Sequence, residues 1–325
     1  MKKKFLTLAL VLMVAVTLFA ATPIEVSGSL TAGYKFTFGG AKPGTTGENA
    51  GKATIVSSFT GDHWKVSIGG NLAYGANKGL ASATAEIYLD KALKDQGVDM
   101  GDFKVTLHAG TGVEKGAYSV FANKGALGKE AAAMVTKDNA GITLGYGSLA
   151  KLYFAFFPNK AFPMVVSAQV TPVAGVDVTF GYSNESANND LLVTAKADIA
   201  KLADLDFALA STAQFAYDVD AKAMVVGVDA STTIEGIGVY VAYRLAGKVN
   251  GLAAGASYST TVEGFTVGGG ADFKVTDLSD FANKWDLNVE ASASYALGGA
   301  TYKLVMGYGV QAKAFTLTPT VTIKF

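Results

Sequence analysis

The sequence contains no cysteine, six prolines, two histidines and a single arginine among its 325 residues. Without cysteine the chain can form no disulfide and offers no thiol for lipid attachment. Beyond the N-terminus it has no stretch of about 18 uninterrupted apolar residues, so it predicts no transmembrane helix. Neither sign of charge dominates, with 27 basic and 27 acidic residues, which argues against nucleic acid as a partner.

The side chains that enzymes use for acid–base chemistry are scarce. His63 and His108 are the only histidines. His63 directly follows Asp62, but neighbouring side chains on a strand point to opposite faces, so the two do not form a ready acid–base pair. A loose dinucleotide-type spacing, Gly145-x-Gly147-x-x-Ala150, lacks the βαβ context that the motif requires. The sequence therefore predicts no catalytic residue, no metal and no cofactor, with a barrel enzyme kept as an alternative.

The N-terminus has the pattern of an export signal. Lys2, Lys3 and Lys4 precede an apolar run over residues 5–19, and the small residues Ala20 and Ala21 follow. We expect residues 1–20 to be a signal peptide and residues 21–325 to be one domain. Cleavage would remove three of the 27 basic residues and none of the 27 acidic ones, which leaves a net charge of −3.

Alternation of apolar and polar residues is the main structural signal. Over residues 315–325 the odd positions are Phe, Leu, Pro, Val, Ile and Phe, while the even positions are four threonines and a lysine. A strand with this pattern is apolar on one face and polar on the other. The same pattern recurs from Ile24 onward, and together with an export signal it predicts an all-β, closed antiparallel transmembrane β-barrel. A secreted soluble β-protein is the alternative, but 50% hydrophobic residues favour lipid on one face.

Turns and linkers predict the strand count. Short glycine-containing turns at 60–61, 172–176, 234–237 and 262–265 are expected in the periplasm, and longer linkers at 39–51, 184–190 and 275–284 outside. A further turn at 139–142, one bent strand over 142–157, and one strand over 118–135, alone or with a segment folded elsewhere, give an even count of about 18, with a range of 16–20. Residues 90–102 could form one or two periplasmic helical turns or a polar linker. Barrels this wide leave an aqueous channel.

Charged residues at the polar positions of strands are the candidate pore lining. A charge facing hydrocarbon costs about 2–4 kcal/mol at the midplane, so these side chains must face water or an interface. The pore-lining candidates are Lys35, Lys65, Glu86, Lys104, Arg244, Asp272, Glu290 and Lys303. The candidate constriction is Lys124, Lys129 and Glu130, with an ordinary irregular strand as the alternative. Because both signs occur, we expect weak ion selectivity.

The final strand, which stops on Phe325, resembles the closing strand of bacterial outer-membrane proteins, and the whole chain resembles general-diffusion porins. This resemblance implies an outer-membrane channel for passive diffusion of small hydrophilic solutes. It also implies Phe325 as the recognition signal for the outer-membrane insertion machinery, contact with outer-membrane lipid, and a homotrimer. Arg244 alone cannot build the arginine ladder of many porins, so a charged filter would use lysine.

Three other functions are compatible with a barrel. A structural or tethering barrel would span the outer membrane without selective transport. A specific uptake channel would need an ordered run of aromatic residues in the lumen, whereas Tyr118 and Tyr240 are isolated inward candidates. A barrel enzyme would need an ordered acid–base set.

Overall fold

Antiparallel β-structure dominates the computed structural model, which describes residues 24–47, 52–72, 79–111, 138–156, 163–184 and 190–324. The strands of the first half are β1 (Ile24–Gly39), β2 (Gly44–Gly47), β3 (Lys52–Thr60), β4 (Trp64–Leu72), β5 (Gly79–Tyr88), β6 (Phe103–Thr111), β7 (Asp138–Tyr146), β8 (Ala150–Phe156) and β9 (Met164–Val173). Those of the second half are β10 (Val176–Ser183), β11 (Asp190–Asp198), β12 (Ala208–Asp218), β13 (Ala223–Ile234), β14 (Ile237–Ala246), β15 (Val249–Val262), β16 (Phe265–Val275), β17 (Trp285–Leu297), β18 (Ala300–Gly309) and β19 (Ala314–Lys324).

The sheet closes on itself. Each strand from β3 to β18 pairs antiparallel with the next in the chain, and β19 pairs with β1 from Ser29↔Lys324 to Gly39↔Ala314. On its other side, β1 pairs with β2 over one half and with β3 over the other. β2 and β3 therefore occupy one strand position between them. The result is a closed antiparallel barrel of 18 strands, which confirms the predicted fold class and strand number.

The two ends of the barrel differ in their connections. We call the end where β1 begins and β19 finishes the terminal mouth, and the other end the loop mouth. The four glycine-containing turns predicted to share one end all lie at the terminal mouth. In two of them, consecutive residues have positive φ: Glu235 (50°) with Gly236 (81°), and Glu263 (50°) with Gly264 (84°). Two successive positive φ values define the tight type I′ hairpin turn, which glycine makes accessible.

Short helices lie at both mouths. α1 (Leu89–Asp95) and α2 (Ile199–Ala203) connect strands at the terminal mouth, and α3 (Phe281–Lys284) follows a 3₁₀ turn at the loop mouth. α1 matches the helical alternative expected for residues 90–102. Among the described residues, none of the helices is both long and apolar enough to cross a membrane.

The predicted turn at residues 139–142 is wrong, because these residues lie inside β7. Gly141 serves close packing: a Cβ there would come 2.9 Å from Nε2 of His108, so glycine marks a close approach. The predicted long strand over 142–157 is also wrong. It is two strands, β7 and β8, and Gly147 with φ of 51° lies in the turn between them. The predicted strand over 118–135 falls outside the described residues.

The outer and inner faces of the barrel have opposite character. Along β1, Val26, Leu30, Tyr34 and Phe38 are 40–57% exposed, and all four share the outer face. The buried apolar side chains of the described residues are few and no larger than leucine. The fold is therefore held mainly by a continuous backbone ladder, with its large apolar side chains turned outward.

Candidate pore lining

The strand register places all eight pore-lining candidates on the face opposite the exposed apolar side chains. Lys65 pairs across β4 and β5 with Glu86, for example, while the neighbouring Trp64 and Ile87 share the outer face. Lys303 pairs with Thr320 on the threonine-bearing inner face of β19. That these side chains line a conducting path remains a prediction.

Glu86 is fixed near the terminal mouth. The Tyr88 hydroxyl donates a hydrogen bond of 2.8 Å to Oε2 of Glu86. Nζ of Lys91, in α1, lies 4.5 Å from the centroid of the Tyr88 ring. This cation–π contact links α1 to the side chains at the mouth of the lumen.

The carboxylates of β16 and β17 form a polar strip on the inner wall. The Tyr240 hydroxyl donates a 2.6 Å hydrogen bond to Oδ1 of Asp272 across Gly255, whose missing side chain leaves room for the bridge. On the same wall, Nζ of Lys274 lies 3.7 Å from Oδ2 of Asp286. Glu290 is exposed between Gly270 and Gly307 of the flanking strands. This strip is open to water and carries both signs of charge.

Arg244 lies toward the loop mouth, with Gly227 and Gly251 opposite it on the two neighbouring strands. These glycines leave space beside the guanidinium. Since the sequence holds no second arginine, a ladder of guanidinium groups is ruled out.

A second part of the inner wall is closed to solvent. Val165, Ser167, Thr179, Thr194 and Gln214 point inward on β9 to β12, yet they are only 1–6% exposed. Nε2 of Gln214 donates a 3.0 Å hydrogen bond to Oγ1 of Thr194. The two sides of the lumen therefore differ, with exposed charges on β16 to β18 and buried small or neutral side chains in the middle and loop-mouth parts of β9 to β12.

Lys151 and Asp177 are among the charged residues of the inner face that sequence reasoning missed. Together with Lys104 they line a recess of about 560 Å³ at the terminal mouth. The alternation of Lys151 and Tyr153 with the outward Leu152 and Phe154 carries the signal for β8. Treating residues 142–157 as one bent strand concealed it.

The remaining predicted site residues have no described geometry. Lys124, Lys129 and Glu130 lie outside the described residues, as does Phe325. β19 is described up to Lys324, and its outward Ile323 pairs with Leu30 of β1 and Ala300 of β18.

The two histidines occupy separate places. Nε2 of His63, in the turn between β3 and β4, lies 2.9 Å from Oδ2 of Asp95 and so connects this turn to α1. His108 is buried on the inner face of β6, opposite Gly141. The described residues contain no group of three or more His, Asp or Glu side chains placed to hold a metal ion.

Neither protein-family models nor curated proteins match the sequence. Solved structures match the fold. OccK11 (OpdR) of Pseudomonas aeruginosa superposes with a TM-score of 0.58 at 9% identity, covering 93% of this chain and 96% of that one. OccD3 (OpdP) of the same organism gives 0.56 at 10% identity, covering 94% and 93%. A mutant Rh. blastica porin gives 0.54 at 13% identity, covering 93% and 100%. At these identities the likeness establishes a porin-type fold alone.

Proposed function

We propose that this protein is an outer-membrane porin, a water-filled channel for passive diffusion of small hydrophilic solutes. The supporting observation is the contrast between the faces of the closed 18-strand barrel: large exposed apolar side chains outside, and exposed charged and hydroxyl side chains inside. Hydrocarbon accommodates the first face and water the second. The porin-type fold of the solved structures supports the same proposal.

Weak charge selectivity belongs to this proposal. The inner wall carries Lys65, Lys104 and Lys303 as well as Glu86, Asp272 and Glu290. At physiological ionic strength the Debye length is about 8 Å, which screens wall charges from the middle of a wide pore. Solutes would therefore be selected by size and only mildly by charge.

The location and the assembly partners are further parts of the proposal. Residues 1–20 would direct export and be removed, and Phe325 would be read by the insertion machinery that places the barrel in outer-membrane lipid. A homotrimer is proposed on the resemblance to porins. Deleting Phe325 should reduce assembly in the outer membrane while export across the inner membrane continues. Wild-type amounts of assembled barrel after the deletion would contradict its role as a signal.

A conductance recording tests the function directly. Refolded protein in a planar bilayer should give large, ohmic single-channel steps, and loaded liposomes should swell in small sugars but not in large oligosaccharides. Heat-unfolded protein is the control. A correctly folded β-barrel without conductance or swelling would overturn the channel and favour the tethering barrel.

A further inference from the structure

We propose that the recess at the terminal mouth binds a small divalent oxyanion of the phosphate type, through the ammonium groups of Lys104 and Lys151. This site would lie in the wall of the proposed channel, so the proposal rests on a water-filled lumen. The recess is about 560 Å³ in volume. It lies on the inner face of β6 to β10, at the ends of these strands that form the terminal mouth.

The register brings the two lysines together. Lys104 pairs with Gly145, and Gly145 pairs in turn with Lys151, so the two lysines lie in one row on the strands flanking β7. Strands are about 4.8 Å apart, which puts the two Cα atoms roughly 10 Å from each other. The flexible four-carbon stems allow both ammonium groups to reach one ligand.

Nothing stands between the lysines. Gly145 contributes no side chain, and a Cβ built there would contact only Cβ of Lys104, at 3.6 Å. Among the described residues, neither ammonium has a hydrogen bond or an ion pair. Two lysines that share one water-filled recess without an acceptor repel each other, and an anion placed between them would remove that repulsion.

Neutral donors surround the two charges. The next row of the wall carries Thr106, Thr143 and Tyr153 in pairing order, and Gln169 continues the lysine row on β9. Hydroxyl and amide groups donate to oxygens without adding charge. A tetrahedral oxyanion has several oxygens to accept from them, whereas chloride has no such directional acceptors.

The carboxylate of the recess has a hydrogen-bond partner of its own. Oδ1 of Asp177 accepts a 2.5 Å hydrogen bond from Oγ1 of Thr171, and Lys196 is its register partner on β11. Among the described residues, Asp177 forms no ion pair with Lys104 or Lys151. The two lysines therefore keep a local excess of positive charge, which favours a dianion over a monoanion because the attraction grows with the ligand's charge.

Calorimetric titration of refolded, full-length protein with inorganic phosphate at low ionic strength tests the site. The double variant Lys104→Gln/Lys151→Gln should weaken phosphate binding at least tenfold. The matched control, Lys94→Gln/Lys201→Gln, removes two exposed lysines of α1 and α2 at the same mouth and should leave binding within twofold of wild type. Equal losses in both variants would overturn the site in favour of a general charge effect.

A second pair of variants keeps both lysines and compares an added carboxylate with a neutral amide. Gly145→Asp would place a carboxylate between the ammonium groups and should abolish phosphate binding, whereas Gly145→Asn should largely retain it. Unchanged binding in Gly145→Asp, or no binding by the wild type, would overturn the proposal. Because calorimetry needs no current, conductance without phosphate binding rejects the site alone, and phosphate binding without conductance rejects the channel alone.

Discussion

In the proposed membrane-spanning barrel, single side chains determine which face of each strand meets lipid and which meets water. On β18, Leu304 shares the outer face with Tyr302 and Met306, while the adjacent Lys303 is exposed inside. Nothing but the alternation of the pleat separates the two environments. Substitutions at adjacent positions therefore test the assignment of faces directly.

We expect Leu304→Arg to destabilise the barrel by about 2–4 kcal/mol, the cost of an arginine facing hydrocarbon near the midplane. Lys303→Arg should have almost no effect, because that side chain stays in water. Urea unfolding in lipid vesicles measures both changes. Similar losses of unfolding free energy at the two positions would show that the register of β18, or the environment of its two faces, is wrongly assigned.

Gly255 supports the bridge between Tyr240 and Asp272. A Cβ at this glycine would lie 2.6 Å from Oδ1 of Asp272 and 2.8 Å from Cζ of Tyr240, so Gly255→Ala must displace both side chains. We expect a destabilisation of about 1–3 kcal/mol, which is typical of overpacking. Gly145→Ala is the matched control, because its Cβ has room, and it should be neutral or slightly stabilising. Equal unfolding free energies for both variants would show that the hydrogen bond between Tyr240 and Asp272 can be displaced at little energetic cost.

At the scale of elements, the loop between β16 and β17 carries a local cap outside the strands. Oδ1 of Asp277 accepts hydrogen bonds from the hydroxyl and the backbone N–H of Ser279, at 2.7 and 3.0 Å. These bonds, the side-chain one first, lower the pKa of Asp277 below its usual value. The cap therefore stabilises the turn above the ordinary aspartate pKa, and this contribution is lost as the pH falls through the depressed pKa.

Carboxyl NMR of the refolded protein should show Asp277 titrating below the usual aspartate range. Ser279→Ala should raise the pKa of Asp277 toward the ordinary value by removing the strongest donor, whereas Ser292→Ala, in the wall of the barrel, should leave it unchanged. An Asp277 pKa that Ser279→Ala does not move would contradict this account of the cap.

The elements also show how far sequence reasoning reaches. Alternation is a local property, so strands such as β1 and β19 were predictable from their own residues. Residues 139–142 resemble a turn because an Asn and a Gly stand close together. The glycine is needed because a Cβ there would clash with the backbone oxygen of Phe154 on β8 and with the His108 ring on β6. That requirement comes from strand pairing, which no single segment reveals.

The same limit applies to the candidate site. Assigning a charged candidate to the inner or outer face needs only its odd or even position within its own strand. Each candidate could therefore be assigned from its own strand alone. The recess of Lys104 and Lys151 needs the knowledge that β6, β7 and β8 are neighbours. The buried wall of β9 to β12 could not be predicted from the sequence either. Polar and small residues of the inner face have the same sequence pattern whether they are buried or exposed. Two pairs of adjacent apolar residues, Val165–Val166 and Leu191–Leu192, are a local sign of the buried wall, because one member of each pair is buried on the inner face.

At the scale of the whole molecule, ion selectivity sums all the wall charges. We expect a wild-type cation/anion permeability ratio near one, and we expect Lys124→Gln/Lys129→Gln to shift it only if that segment enters the channel. Reversal potentials in a salt gradient measure the ratio. Lys94→Gln/Lys201→Gln is the control for a charge change at the surface. Strong selectivity of the wild type would contradict general diffusion, and an unchanged ratio in the double variant would eliminate the constriction.

The pairing of β1 with β19 joins Thr31 to Thr322, a sequence separation of 291 residues, whereas most other pairings join consecutive strands. The loop-closure entropy of the barrel is therefore concentrated at one seam. A ring of hairpins has no privileged first strand. Because Lys324 pairs with Ser29, Ile24 lies five residues further along β1, so the junction needs a flexible linker that spans roughly 16 Å. A circular permutant that joins Lys324 to Ile24 through such a linker and is cut between Glu235 and Gly236 keeps every strand pair. Its seam moves to β13 and β14, and its chain no longer finishes on an aromatic strand end. Such a permutant separates the free energy of closing the barrel from the proposed recognition of Phe325 by the insertion machinery.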